Sequence, residues 1–155
     1  MEAKKMYIDG EWTVGTSGKT IKVINPANAE VIAEVCESSL EDTQKAISAA
    51  KKSFYVTREW RDMDSQARAN ILLKIADMIE ENFDEFSKIE SLDNGKPLRE
   101  AECDLSDAAH TFRYYAGLIK TPHGGVYDVN EGFGKMHSYT THEPVGVCAQ
   151  ITQAC

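Results

Sequence analysis

Up to Cys36 apolar and polar residues alternate in short runs, and beyond Ser39 the apolar ones recur every third or fourth position. Alternation predicts strands and the wider spacing predicts helices. Met6 to Ile8 and Trp12 to Val14 flank Asp9-Gly10, a pair suited to a tight hairpin turn because glycine tolerates positive φ. Thr20 to Ile24 forms the next strand and stops at Asn25-Pro26; Val31 to Cys36 follows with Val31, Ala33 and Val35 on one face. Ser39 and Asp42 make an S-x-x-D capping box, after which Ala46, Ile47, Ala50 and Phe54 keep helical spacing. A second helix begins near Asp64, and its stripe of Ile71, Leu72, Ile75, Ala76, Ile79, Phe83 and Phe86 predicts one continuous element. Asn94-Gly95 caps that region and Pro97 opens a third helix, with Ala101, Leu105, Ala108, Ala109, Phe112, Tyr115, Ala116 and Ile119 on one side.

After Gly124-Gly125 the period changes again. Lys135 to His142 is polar and alternating, which predicts an exposed hairpin or arm. Val145 to Ile151 is nearly continuously apolar, the pattern of a strand buried on both faces of a parallel sheet. Such a strand with neither crossover helix nor parallel neighbour is an unfinished βαβ unit.

Composition narrows the function classes. Seventeen basic residues against twenty-five acidic ones give a net charge of −8, which argues against a nucleic-acid binder, including a helix-turn-helix built on the second and third helices. A content of 42% hydrophobic residues is that of a globular chain. No apolar run approaches the length of a membrane span, and Met1 to Gly10 lacks the apolar core of a secretory signal, so a cytoplasmic location is expected. Cys36, Cys103, Cys148 and Cys155 form no C-x-x-C pair and are expected as reduced thiols, with Cys36 and Cys148 in strand packing. The four histidines show no metal-ligand spacing, and no glycine-rich phosphate loop or G-x-S-x-G elbow occurs. Glu100, Asp104 and Asp107 share a helix face as solvated acids.

Five strings together resemble the aldehyde dehydrogenase superfamily. They are Tyr7-Ile8-Asp9-Gly10-Glu11-Trp12, Ile24-Asn25-Pro26-Ala27-Asn28, Ser91-Leu92-Asp93-Asn94-Gly95-Lys96-Pro97, Phe112 to Gly117 and Glu143 to Thr152, in the family's order over residues 6 to 152. Among its branches the chain is most similar to betaine-aldehyde and aminoaldehyde dehydrogenases. The resemblance implies an α/β fold: the N-terminal part of the aldehyde dehydrogenase fold, with helices and strands wrapping an incomplete Rossmann-type coenzyme domain plus a β oligomerisation arm. The divisions it implies are residues 1–134 in the coenzyme-binding part, 135–143 as the arm, 144–152 as the first strand of the Rossmann-type sheet, and 153–155 as a divergent terminus.

The same resemblance implies NAD or NADP as cofactor, an aldehyde substrate oxidised to its acid, and a homo-oligomer. Backbone at Ile151 and Thr152 would touch the dinucleotide. A sodium or potassium ion would be held by the carbonyls of Val23 and Ile24 and the carboxylate of Asp93, hard oxygen donors suited to an alkali ion. No catalytic residue is assigned. Family members continue from the Ile-Thr strand into Pro-Trp-Asn, whereas Gln153-Ala154-Cys155 stands here, and the family's nucleophile and general base belong further along. Gln153-Ala154-Cys155 imitates the Q-x-C of the family's nucleophile, but Thr152 replaces the expected glycine, and a terminal carboxylate would raise the thiol pKa. The expectation is therefore an N-terminal fragment, inactive by itself. The alternative is a short non-catalytic interaction module that pairs with full-length subunits through the arm.

Overall fold

The computed structural model describes residues 2–121, 123–132 and 134–152, leaving the Glu131 side chain aside. Cys155 and its two preceding residues lie outside the described residues.

Three two-stranded antiparallel ladders frame a set of helices. β1 (Met6–Ile8) and β2 (Glu11–Thr13) are joined by Asp9 and Gly10, whose φ values of 52° and 87° make the primed turn that matches strand twist. β3 (Thr20–Ile24) pairs with β4 (Val31–Cys36), and Lys4 adds to the outer side of β4 through its amide to Glu34 and its carbonyl to Cys36. α1 (Leu40–Lys52) starts at the expected box: the Ser39 hydroxyl accepts from the Asp42 amide, and Asp42 Oδ2 accepts from the Ser39 amide at 3.0 Å. The Asp42 carboxylate reaches further, accepting from the amide and hydroxyl of Thr16, and so fastens the helix start to the loop before β3.

Only 2% of Asp42 is exposed, yet its Oδ2 accepts from the amides and hydroxyls of both Ser39 and Thr16. The Ser39 amide above all, with the Ser39 hydroxyl and the Thr16 amide and hydroxyl, holds its pKa down to about 2 against the opposing effect of burial. A carboxyl whose folded pKa lies below its unfolded value near 3.8 stabilises the fold above that value and loses the contribution as pH falls toward 2. Melting temperature followed from pH 5 to pH 2 should therefore fall more steeply for this chain than for Asp42→Asn, about 1 pH unit either side of 3 carrying most of the difference. Parallel curves would mean that the cap is not formed.

Beyond α1 the chain departs from the sequence pattern. A widened π-type turn over Ser53–Thr57 follows, ending where Arg58 adopts left-handed φ of 58°, and then comes the short α2 (Glu59–Asp62). The single long helix expected from Asp64 is two: α3 (Ser65–Glu81), capped by Asp64 Oδ1, and α4 (Phe83–Asn94). Asn82 causes the break, because its Nδ2 donates to the Met78 carbonyl at 2.8 Å and competes with the helical ladder. α5 (Leu98–Leu118) follows Pro97 as expected.

α5 lies against α3 and α4, with Ala69 and Ala76 of α3 and Ala101, Ala109 and Ala116 of α5 buried. The shared core is made of alanines and lets the helix backbones approach closely. Two surface clusters tie the edges. Arg113 bridges Asp77 and Glu80 across α3 and α5, and Lys96 Nζ sits 2.8 Å from Glu90 and 2.6 Å from Asp104. Asp104 is thus an ion-pair partner as well as a member of the acidic face.

β5 (Val126–Glu131) and β6 (Gly134–Tyr139) form an exposed hairpin that begins before the stretch 135–142 where alternation predicts one and leaves 140–142 outside its ladder, because the strand partner of β6 is the segment preceding it. The stretch from 144 to 152 makes no strand, although its apolar pattern predicts one. A parallel strand exists only through hydrogen bonds to a neighbour, and the described residues offer none. Val145 is 87% and Ile151 99% exposed, and Cys148, expected in strand packing, is exposed as well.

The accessible surface totals 12105 Å². A folded monomer of 17.2 kDa ordinarily exposes about 7,800 Å², so this chain shows roughly 4,300 Å² too much. Its helices and strands present faces built to be covered.

Candidate functional site

Val23 and Ile24 end β3, where the register slips so that Ile32 of β4 has no opposite residue. Next comes a turn built on Asn25, which is buried: its Oδ1 accepts from the Ala27 amide at 2.9 Å and its carbonyl from the Ala29 amide at 2.8 Å. Asp93 stands in the last turn of α4, exposed, just before Gly95. Gly95 has φ of 79° and lies against Pro26: a Cβ there would fall 2.5 Å from Pro26 Cγ. The helix end carrying Asp93 and the strand end carrying Val23 and Ile24 are therefore packed together through Gly95 and Pro26. A carboxylate at a helix C-terminus faces the negative end of the dipole, so a cation nearby improves its electrostatics. The donors available, carbonyls and one carboxylate, fit an alkali ion. Among the described residues no group of three histidine, cysteine or acidic side chains could hold another metal.

Ile151 and Thr152 are not brought to any site. Both are exposed, in a segment without strand partners, and form no coenzyme pocket with the described residues. No described cysteine is hydrogen-bonded to a histidine or carboxylate; Cys148 Sγ faces only the Gly146 carbonyl at 4.0 Å. His137 pairs with Asp128 across the hairpin at 2.6 Å, and His142 Nε2 is 2.7 Å from the His123 carbonyl.

A cleft of about 780 Å³ lies between α3, the end of α5 and the base of the hairpin, and is lined by Arg68, Tyr115, Leu118, His123, Thr140 and His142 among others. Sequence reasoning missed it. Arg68 sits on a polar stretch of α3 and carries no signal that separates a cleft arginine from a solvated one. No described helix is long and apolar enough to cross a membrane.

Comparison with known proteins fits this architecture. The model of the aldehyde dehydrogenase family matches residues 12–153. Human mitochondrial aldehyde dehydrogenase is 40% identical over 148 residues, which are 95% of this chain and 28% of the human protein. Betaine aldehyde dehydrogenase of Bacillus subtilis is 39% identical over 150 residues, 97% of this chain and 30% of its own length. The structure of the NAD+ complex of Bacillus cereus aldehyde dehydrogenase superposes with a TM-score of 0.82 at 39% identity, covering 93% of this chain and 29% of that one. The near-equal identities do not separate the betaine-aldehyde branch from the others. The chain spans less than a third of the length of the curated relatives it matches. With the family model matched over nearly all of its residues, the chain belongs to the aldehyde dehydrogenase family.

Proposed function

We propose that the chain is the N-terminal part of an NAD- or NADP-dependent aldehyde dehydrogenase subunit, which oxidises an aldehyde to its acid in a homo-oligomer, and that by itself it is inactive. The observation that carries this reading is the superposition on an NAD+-bound relative over 93% of this chain but 29% of that one. Residues 1–134 would belong to the coenzyme-binding part, 135–143 to the arm and 144–152 to a sheet strand that gains its neighbours from the rest of the subunit, with 153–155 divergent. Ile151 and Thr152 would then meet the dinucleotide only in that completed sheet. Free thiols at Cys36, Cys103 and Cys148 agree with a cytoplasmic location.

The test is absorbance at the reduced nicotinamide band with betaine aldehyde and simple aliphatic aldehydes, using NAD and NADP. The expected result is no turnover. Turnover abolished by Cys155→Ser would overturn the reading.

The same reading places a sodium or potassium ion at Val23, Ile24 and Asp93. Either ion should raise the melting temperature relative to tetramethylammonium at equal ionic strength, because a ligand of the folded state alone stabilises it by mass action. Asp93→Ala should abolish the difference. An unchanged ion response in that variant would remove Asp93 from the site.

A second reading rests on the exposed face of β6: the chain would be a non-catalytic module that pairs with full-length subunits through the hairpin.

A further inference from the structure

We propose that the cleft around Arg68 is a docking site for a carboxylate side chain of the polypeptide that covers this face, a proposal that rests on the chain being part of an aldehyde dehydrogenase subunit. Arg68 is only half-exposed, and its Nε is shielded from solvent with no acceptor. Among the described residues its one hydrogen bond is a long one, from Nη1 to the Arg61 carbonyl at 3.4 Å. Other arginines are satisfied differently: Arg58 pairs with Asp62, Arg113 with Asp77 and Glu80, and Arg61 lies over the Phe54 ring. In a chain with twenty-five acidic residues, a shielded guanidinium without a carboxylate among the described residues is an open position. Buried or half-buried arginines ordinarily have a bidentate partner of that kind.

The walls point to a protein side chain and not to a free anion. Tyr115, Leu118 and Ile119 give one side of the cleft an apolar lining, and Thr140 and His142 supply polar groups at the hairpin base. The surface excess of roughly 4,300 Å² lies on this chain alone and exceeds one partner's share of most permanent protein interfaces, far beyond what a small ligand covers. The relatives' further length, more than two-thirds of each, is the polypeptide available to cover it. An acidic side chain entering the cleft would pair with Arg68 while its neighbours in sequence cover Tyr115 and Leu118.

The experiment co-expresses this chain with the Bacillus cereus relative from which the matched stretch has been deleted, and recovers the complex through a tag on this chain. Arg68→Gln should weaken association by at least about tenfold, as truncating one member of a desolvated charge pair does. Arg68→Lys should recover part of the loss, and Arg99→Gln, on the exposed start of α5, should change nothing. An unchanged melting temperature of the isolated Arg68→Gln chain would exclude a folding defect. Equal recovery with Arg68→Gln overturns the proposal and leaves the family reading standing. No complex with the unaltered chain overturns the docking site together with the reading of the chain as part of a subunit. In a parallel arm, propionate is titrated while the Arg68 Nε–H resonance, identified by its loss in Arg68→Lys, is followed by NMR. A saturable shift without complex formation would give the cleft to a free anion, against the proposal.

Discussion

At micromolar concentration the isolated chain is expected to scatter light as a dimer or larger species. The excess accessible surface of roughly 4,300 Å² is the general reason, and the segment from 135 to 151 is the specific one. Val145 and Ile151 stand almost fully in solvent, and the backbone around them has no ladder partner. Unpaired edges invite pairing with another chain, and burying each such side chain contributes about 1.5–3 kcal/mol. The polar alternation of Lys135 to His142 makes the hairpin the less adhesive part. Replacing both Val145 and Ile151 with Asp should therefore weaken self-association by roughly a hundredfold, and a version ending at Asn130 should move further toward monomer. Gly146 does approach an earlier part of the chain: a Cβ there would lie 3.5 Å from Tyr55 Oη. If the unaltered chain and the version ending at Asn130 are both monomeric at equal concentration, that contact has grown into a folded-back tail and the open-edge argument fails.

The parts of the fold readable from sequence are those whose causes are local. Asp9-Gly10 sets its turn by φ alone, Ser39 and Asp42 satisfy each other's amides within four residues, and β3 and β4 run over the ranges their alternation marks. Where the cause is distant or competitive, pattern fails. The apolar stripe through Phe83 and Phe86 runs past Asn82 without a sign of the break, because hydrophobic spacing does not register a side-chain amide taking the Met78 carbonyl. The π-type turn at Ser53–Thr57 and the left-handed Arg58 have no composition cue at all. Val145 to Ile151 carries the right pattern for a buried strand, but pattern cannot supply the neighbour that would make it one. For the candidate sites the lesson is similar. Val23, Ile24 and Asp93 follow from resemblance and not from periodicity, and the approach of Gly95 to Pro26 is a contact that no local pattern announces. The Arg68 cleft needs three elements far apart in sequence, so nothing local announces it.

Gly95→Ala is expected to destabilise the chain by about 2 kcal/mol or more, from two separable causes. A left-handed φ costs a residue with a Cβ about 1–2 kcal/mol, and Gly95 sits at 79°. The added methyl would also meet Pro26 Cγ at 2.5 Å, a separation that forces the helix end and the Asn25-Pro26 turn apart. Gly18 supplies the control, since its φ of 66° carries the same backbone penalty while its Cβ would enter open space. Urea unfolding of Gly18→Ala therefore reads the conformational term alone, and the further loss in Gly95→Ala reads the packing of α4 on the turn. Gly95 lies two residues after Asp93 and Pro26 two residues after Ile24, so on the proposed ion site the alkali-ion stabilisation should vanish in Gly95→Ala and survive in Gly18→Ala. Equal destabilisation by the two substitutions would mean that the helix end does not rest on Pro26, and the ion site would lose the contact that assembles it.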